Sequence, residues 1–244
     1  MSRKSIPIRQ DRADQTRTNI LRAAIHEFSA HGLAGARTDA IAESAGVNKA
    51  LLYYYFKSKD GLYQAAFEEI ATEVVEQTLA ALDSQHSPGE RLLRAALNHF
   101  DRILTKLEFQ SLLQQEMVRL RRGEIGNIPV LVKKVFKPLL ATFEQTIRDG
   151  IRSGELCDFD WLQVVYSMLG ANVFYFLSAP MMQFALPFNP LEKAALETRR
   201  SAAVQLLGTA LFVDRAHGAL VAKRVLADMP MPQIRKDHFG RKGL

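Results

Sequence analysis

The sequence predicts an all-α protein with two domains, and three observations support this. Apolar residues recur three or four positions apart along most of the chain, and no segment keeps the alternation of a strand for long. Glycine, proline and serine separate the helical segments. The 244 residues, 48% hydrophobic and 24% charged, suffice for one large or two modest packed domains. This composition excludes a disordered chain and a multi-pass membrane protein.

The first predicted helix covers residues 14–31 and ends at Gly32. Its apolar residues fall three or four apart and form one buried stripe: Ile20, Leu21, Ala24, Ile25 and Phe28. Thr38 is expected to cap a short helix over residues 39–45. Asn48 is expected to cap another over residues 49–56, because oxygen-bearing side chains accept hydrogen bonds from free helix amides.

Ser58 opens a fourth predicted helix that runs towards residue 82, and a break at residues 83–90 follows. The tail from residue 215 is expected to start as a helix and then become irregular. Further helices are predicted near residues 89–106, 108–122, 128–152, 158–178 and 190–215. The expected division is a basic arm over 1–13, a first domain over 14–74, a larger helical bundle over 75–216 and a basic tail over 217–244.

The net charge of +6 is concentrated at the two ends of the chain, while the middle is mildly acidic. Positive charge collected at an end of a chain favours an anionic partner such as nucleic acid or a lipid headgroup. Cys157 is the single cysteine, so an intramolecular disulfide is excluded, and the first ten residues lack the apolar core of a signal peptide. A cytoplasmic protein is expected.

One segment is long enough to be a candidate membrane span: residues 161–191 contain no charged side chain. Polar residues and prolines, among them Pro180 and Pro187, interrupt it, and no basic cluster next to it would set an orientation in a membrane. We expect instead a helix buried from several sides, in a bundle core or a subunit interface.

Residues 38–56 carry the pattern of a helix-turn-helix. A helix of about seven residues is followed by a turn at residues 45–47 and a second short helix, the arrangement that places the second helix in the DNA major groove. Leu52 and Phe56 are expected to face inward. Asn48, Lys49, Tyr53 and Tyr54 remain available for phosphates or base edges. The alternative is a tyrosine-rich core helix with a solvated basic face.

Residues 16–70 resemble the N-terminal domain of the TetR/AcrR transcriptional regulators in the glycine loop, the threonine, the alanine-glycine-valine turn and the tyrosine-rich helix followed by Lys-Ser-Lys. The resemblance implies that Thr38 caps its helix and touches phosphate, and that Lys59 pairs with phosphate. It further implies that Lys49, Ala50 and Leu51 approach bases and that Tyr53, Tyr54 and Tyr55 contact backbone and sugar.

This sequence departs from the family pattern at several of these positions. Asn48 stands where serine is frequent, Ala50 where glycine is frequent and Tyr55 where histidine is frequent. Leu51 replaces a hydroxyl residue, so a base contact there has to be apolar, for example with a thymine methyl. Gly61 replaces an acid, which removes the reciprocal capping box.

The resemblance also implies a regulatory domain that forms a homodimer, through the helices near 158–178 and 190–215, and binds a small-molecule effector. The dimer would read palindromic double-stranded DNA with half-sites about 34 Å apart. No cofactor or metal is implied. The candidate effector pocket mixes aromatic, methionine and polar residues, whose other interpretation is ordinary core: Phe100, Phe109, Met117, Trp161, Tyr166, Met168, Asn172 and Tyr175.

Two other classes of protein are alternatives to a regulator. An enzyme is disfavoured for three reasons. His26 and His31 are five residues apart and so lie on different faces of a helix, and Asp83 and His86 are an isolated Asp-x-x-His motif. The sequence also contains no phosphate-binding loop and no nucleophile elbow. The second alternative is a membrane-associated or interaction module that uses residues 161–191 and the basic tail. The tail cations concerned are Arg235, Lys236, Arg241 and Lys242.

Overall fold

The computed structural model describes residues 7–82 and 85–233, with side chains from residue 12 onward. Asp83 and the four tail cations named above lie outside the described residues. The described chain forms eleven α-helices and one short π-helical segment, Val132–Phe136. The α-helices are α1 Pro7–Gly35, α2 Thr38–Ser44, α3 Lys49–Phe56, α4 Lys59–Leu82, α5 Pro88–Thr105, α6 Leu107–Arg121, α7 Ile128–Leu131, α8 Lys137–Arg152, α9 Trp161–Met182, α10 Lys193–Leu211 and α11 Arg215–Asp228.

The chain folds into two compact units whose boundary differs from the expected one. The first unit contains the residues up to Val74 together with Glu108–Val135, and the second contains Val75–Leu107 and the chain from Phe136 onward. Helix α6 therefore belongs to the first unit, although the sequence order predicts it in the larger domain.

The first unit packs around α1, which starts at Pro7 rather than at residue 14, so part of the expected basic arm is helical. The predicted break at Gly32 is present as a non-helical residue with φ 69°. Ile20 and Phe28 are fully buried, as the apolar stripe predicts. The ring of Phe28 meets that of Tyr63 edge to face, with centroids 5.0 Å apart.

Polar side chains attach α6 to the rest of the first unit. Ser111 Oγ donates to the Ser29 carbonyl at 2.7 Å. The wholly buried carboxylate of Glu116 accepts from Tyr63 Oη at 2.9 Å, from Arg119 Nη1 at 2.8 Å and from the Asn127 amide at 2.9 Å. Because a buried charge needs hydrogen-bonding partners, these contacts allow α6 to pack through a polar face.

The segment predicted as one helix over residues 128–152 is divided in the structure. α7 ends at Leu131, the π-helical turn follows, and α8 begins at Lys137. Pro138 lies in the first turn of α8. Since proline has no amide proton to donate to the preceding turn, a continuous α-helix would leave a carbonyl unpaired, and the wider turn relieves this mismatch.

The second unit is a bundle of α5, α8, α9, α10 and α11. Its core includes Leu93, Phe143, Met168 and Val204. The tail begins as a helix, as expected: α11 ends at Asp228, and residues 229–233 have no regular structure. Asp214 caps α11 by accepting from the amides of residues 216 and 217, and the apolar side of α11 is buried against the bundle through Val221, Ala222 and Val225.

Helix α9 is buried on one side only. It is long and apolar enough, at a mean hydropathy of 1.3, to pass as a membrane span by composition, and 28% of that window is buried within the chain. Tyr166, Phe174, Leu177 and Met181 are 61–68% exposed. The sequence predicts burial from several sides, but among the described residues α9 is covered on one side and keeps an exposed apolar face.

Candidate nucleic-acid interface

Helices α2 and α3 are joined by the tight turn that the sequence predicts. The Val47 amide donates to the Ala42 carbonyl at 2.9 Å, which closes the turn across its base. Gly46 has φ +68°, and a Cβ there would meet nothing within 4 Å. The requirement for glycine is therefore one of backbone conformation, because side-chain-bearing residues rarely adopt this φ.

The caps of the two helices differ from each other. Asn48 Oδ1 accepts from the Leu51 amide at 2.8 Å, so the predicted cap of α3 is confirmed. The predicted cap of α2 is wrong: Arg37 holds the cap position without a side-chain bond, and Thr38 is the first helical residue. Thr38 is 8% exposed, and its hydroxyl lies 3.4 Å from Tyr53 Oη, so it joins the two helices instead.

Helix α3 presents one face to the core and the other to solvent. Leu52 is fully buried and Phe56 is 7% exposed, as predicted. On the opposite side Tyr54 is 70% exposed. Asn48, Lys49 and Ala50 are exposed, while Leu51, Tyr53 and Tyr55 are half-buried. The N-terminal turn of α3 and Tyr54 are thus free to contact a large partner.

Lys49 is the cation at the N-terminal turn of α3, and it pairs with Asp39 of α2. Its Nζ lies 2.9 Å from Asp39 Oδ1 and 3.0 Å from Oδ2, with both side chains about half exposed or more. The hydrogen bond to Asp39 raises the pKa of Lys49. The lysine is therefore charged and held at the front of the helix pair.

The remaining predicted contacts also have partners within the first unit. Tyr55 Oη donates to the Ala13 carbonyl at 3.4 Å, and Lys59 Nζ donates to the Ala34 carbonyl at 3.1 Å, near the end of α1. Ser58, the residue predicted to open α4, accepts at its Oγ from the Gly61 amide at 2.9 Å. A Cβ at Gly61 would lie 2.3 Å from the Phe56 carbonyl oxygen, which explains why no acid stands there.

Two exposed cations next to α3 are not among the residues that the sequence predicts to contact DNA. Arg17 of α1 lies over the Phe56 ring, and Lys57, directly after α3, lies over the Tyr54 ring. Arg17 precedes the motif by some twenty positions, so no local spacing signals its position. Lys57 is adjacent to the motif and could have been found from its charge alone.

The eight predicted effector residues are divided between the two units. Phe109 and Met117 belong to the first unit and the other six to the second. Met117 is 52% and Tyr166 is 68% exposed. A groove of about 240 Å³ in the first unit is bordered by none of the eight; its lining is Asn19, Arg22, Ala23, His26, Ser44 and Ala45.

Three of the predicted effector residues do lie near one another inside the second unit. The rings of Phe100 and Tyr175 are 6.4 Å apart. Asn172 Nδ2 donates to the Ala96 carbonyl at 3.1 Å and lies 3.5 Å from His99 Nδ1. Burial, with a smaller contribution from the Arg102 charge, lowers the pKa of His99 to about 3. This imidazole is therefore neutral at physiological pH and was missed by the sequence analysis.

Two family models match the chain. One, described as bacterial regulatory proteins of the tetR family, covers residues 20–66, and the other, described as a tetracyclin repressor-like C-terminal domain, covers residues 88–207. Together they cover the helix-turn-helix and most of the remaining chain.

Individual relatives agree. The transcriptional repressor NicS of Pseudomonas putida is 27% identical over 181 residues, which are 73% of this chain and 83% of NicS. The regulator RutR of Escherichia coli strain K12 is 29% identical over 167 residues, 67% of this chain and 75% of RutR.

Solved structures share the fold. A γ-butyrolactone receptor described as ArpA-like matches with a TM-score of 0.62 at 20% identity, over 89% of this chain and 100% of the receptor. A regulator from Saccharomonospora viridis matches with a TM-score of 0.66 at 18% identity, over 82% of this chain and 98% of its own. The chain therefore belongs to the TetR family of helix-turn-helix transcriptional regulators.

Proposed function

We propose that this protein is a repressor that binds a palindromic operator as a homodimer and is released by a small-molecule effector. The observation that carries the proposal is α3: a short helix, fixed to α2 by a glycine turn, whose N-terminal residues and Tyr54 are exposed and whose Leu52 and Phe56 are buried. This is the presentation that groove reading requires.

In the proposed complex the exposed turn of α3 meets the base edges. Lys49 donates to guanine acceptors, and Ala50 and Leu51 supply apolar contacts such as a thymine methyl. Asn48 caps α3 and is also exposed, so it adds a polar group to the same turn. Tyr53, Tyr54, Tyr55, Thr38 and Lys59 are proposed to contact the sugar-phosphate backbone.

The proposed dimer surface is the exposed face of α9 together with α10. The apolar side chains Tyr166, Phe174, Leu177 and Met181 are well exposed on α9, and Leu206 is 65% exposed on α10. An apolar patch of this kind favours a protein partner over water. In a two-fold dimer this face would meet its own copy.

The proposed effector site lies inside the second unit. Its candidate lining is five of the six predicted residues found there, Phe100, Trp161, Met168, Asn172 and Tyr175; the sixth, Tyr166, is 68% exposed and belongs to the proposed dimer surface. An effector that binds more tightly to a conformation with misplaced recognition helices weakens DNA binding by the same coupling factor. Helix α4 contributes residues to both units, so we propose that it transmits the change.

We further propose that the protein has no catalytic activity and acts in the cytoplasm. Its relatives are transcriptional regulators. The alternative is a membrane-associated or interaction module that uses α9, the helix with the composition of a span. Protein that stays with membranes after a salt wash would favour this alternative, whereas recovery in the soluble fraction would favour the regulator.

Alanine variants of α3 test the proposal directly. Lys49→Ala combined with Tyr54→Ala should abolish sequence-specific binding to duplexes selected from random DNA, while leaving the circular dichroism spectrum and thermal transition unchanged because both side chains are exposed. Met117→Ala, an exposed change elsewhere in the same unit, is the control. Retention of specific binding by the α3 variant would overturn the proposal.

A further inference from the structure

Two cations flank the C-terminal end of α3 and rest on aromatic rings of that helix. The guanidinium carbon of Arg17 lies 5.6 Å from the centre of the Phe56 ring, and Lys57 Nζ lies 5.5 Å from that of Tyr54. Lys57 Nζ also donates to the Tyr54 carbonyl at 3.0 Å. Ring faces and helix C-termini attract positive charge, so both cations are held in place while exposed.

Arg17 and Lys57 differ from Lys49 in whether a carboxylate lies within ion-pair distance. Lys49 is paired with Asp39. No ion pair joins Arg17 or Lys57 to a carboxylate among the residues that the structure describes. Their charges are therefore available to an outside anion without first breaking a salt bridge.

The backbone of Lys57 gives a second, independent observation. Its φ is 66°, the single positive value among the described non-glycine residues. Glycine would adopt this conformation without steric cost, whereas a side chain is disfavoured there. A lysine held in a strained turn beside a recognition helix points to a use for its side chain.

Contacts with α3 place both cations at its C-terminal end. Tyr55 Oη donates to the Ala13 carbonyl, one turn before Arg17, which places this part of α1 against α3, and Tyr54 is exposed next to Lys57. We infer that Arg17 and Lys57 each bind a phosphate of the DNA backbone, on either side of the C-terminal end of α3 and beside the bases that this helix reads. This inference rests on the proposed function and adds α1 and the α3–α4 turn to the DNA interface.

The test compares charge-removing and charge-keeping variants of the whole protein. Binding to a mixed-sequence duplex of about 30 base pairs, long enough for two half-sites, is measured by fluorescence anisotropy over a range of salt concentrations. The variants are Arg17→Gln, Arg17→Lys, Lys57→Gln and Lys57→Arg. Lys223→Gln is the matched control, because Lys223 is an exposed cation on α11 in the other unit.

Each glutamine variant should flatten the plot of log K against log salt by about 0.9 per protomer, since one phosphate contact is lost. The lysine and arginine exchanges should keep the wild-type slope. Affinity for a selected operator should fall by the same factor as affinity for the mixed-sequence duplex, because phosphate contacts carry no sequence information.

Lys57→Gly separates a binding role from a structural one. Glycine adopts φ 66° without steric strain, so this variant should have a higher melting temperature than the wild type. It should nevertheless flatten the plot of log K against log salt as Lys57→Gln does. Slopes equal to that of Lys223→Gln would overturn the inference and leave the proposed function intact. A wild-type protein that binds no duplex at all would overturn both.

Discussion

At the scale of single residues, the Lys49–Asp39 pair has a consequence for specificity. Asp39 lies 2.9 Å from the lysine and is itself exposed, so it both neutralises Lys49 and repels phosphates. Asp39→Asn should therefore raise affinity for mixed-sequence DNA several-fold and steepen its salt dependence by about 0.9 per protomer. Preference for the selected operator should fall, because the freed lysine can bind any phosphate.

Glu43→Gln is the matched control for this prediction, because it removes an equal charge from the same helix. Both variants are compared by anisotropy on mixed-sequence and selected duplexes. A ratio of the two affinities that is unchanged in Asp39→Asn, or changed no more than in Glu43→Gln, would contradict the assigned role.

His99 makes a prediction about pH. Burial lowers its pKa from the usual 6.5 to about 3, so between these two pH values the unfolded chain binds a proton that the native chain does not. This contribution to stability is complete above about pH 7 and decreases as the pH falls towards 3, by up to about 1.4 kcal/mol per pH unit.

Urea unfolding of the wild type and of His99→Gln between about pH 7.5 and pH 4.5 measures this effect, because the native carboxylates are the same in both proteins. The free energy of unfolding should fall more steeply in the wild type. Parallel pH profiles would show that His99 is not a buried neutral imidazole.

At the scale of elements, the α10–α11 crossing depends on two glycines. A Cβ at Gly218 would lie 1.9 Å from the Gly208 carbonyl oxygen and 2.7 Å from the Phe212 ring. Gly218→Ala should therefore destabilise the second unit by about 1–3 kcal/mol, the usual cost of overpacking.

Thermal unfolding measures the effect, with Gly35→Ala as the control because a Cβ at Gly35 would make only an ordinary contact, 3.5 Å from His31 Cβ. The control should be neutral or slightly stabilising, since alanine favours a helix more than glycine does. An unchanged melting temperature in Gly218→Ala would mean that the two helices do not pack backbone to backbone.

The elements that could be predicted from the sequence are those fixed by interactions between residues close together in the chain. Gly46 and the Asn48 cap define α2, the turn and α3, because these interactions lie within a few residues. The placement of α6 depends on the tertiary structure. Ser111 and Glu116, which look like solvent-facing residues in the sequence, form the polar contacts that attach α6 to the first unit.

The same distinction separates the two predicted sites. The proposed DNA-contact residues belong to one short helix and its neighbours, and local spacing predicts four of them, Asn48, Lys49, Tyr53 and Tyr54, on the front of that helix. The effector residues come from distant helices, and their periodicity cannot tell a pocket from core: Met168 is buried in the core, whereas Met117 is exposed.

At the scale of the whole molecule, the exposed face of α9 should hold the dimer together. Phe174 and Leu177 are 65% and 61% exposed and apolar. Replacing both with glutamate places like charges opposite each other across a two-fold interface. The variant should be monomeric by light scattering and should bind a palindromic operator far more weakly than the wild type.

Ile125→Glu is the control, because Ile125 is equally exposed at 65% but belongs to the first unit. It should leave the dimer intact. A double glutamate variant that remains dimeric would place the subunit contact elsewhere in the molecule.

The most direct test of the central claim is selection of bound duplexes from random DNA with the full-length protein, followed by selection with Lys49→Ala combined with Tyr54→Ala. The wild type should enrich an inverted repeat whose half-site centres are about one helical turn, roughly 34 Å, apart, and the variant should enrich none. Absence of an inverted repeat, or its enrichment by both proteins, would contradict the reading of DNA by α3.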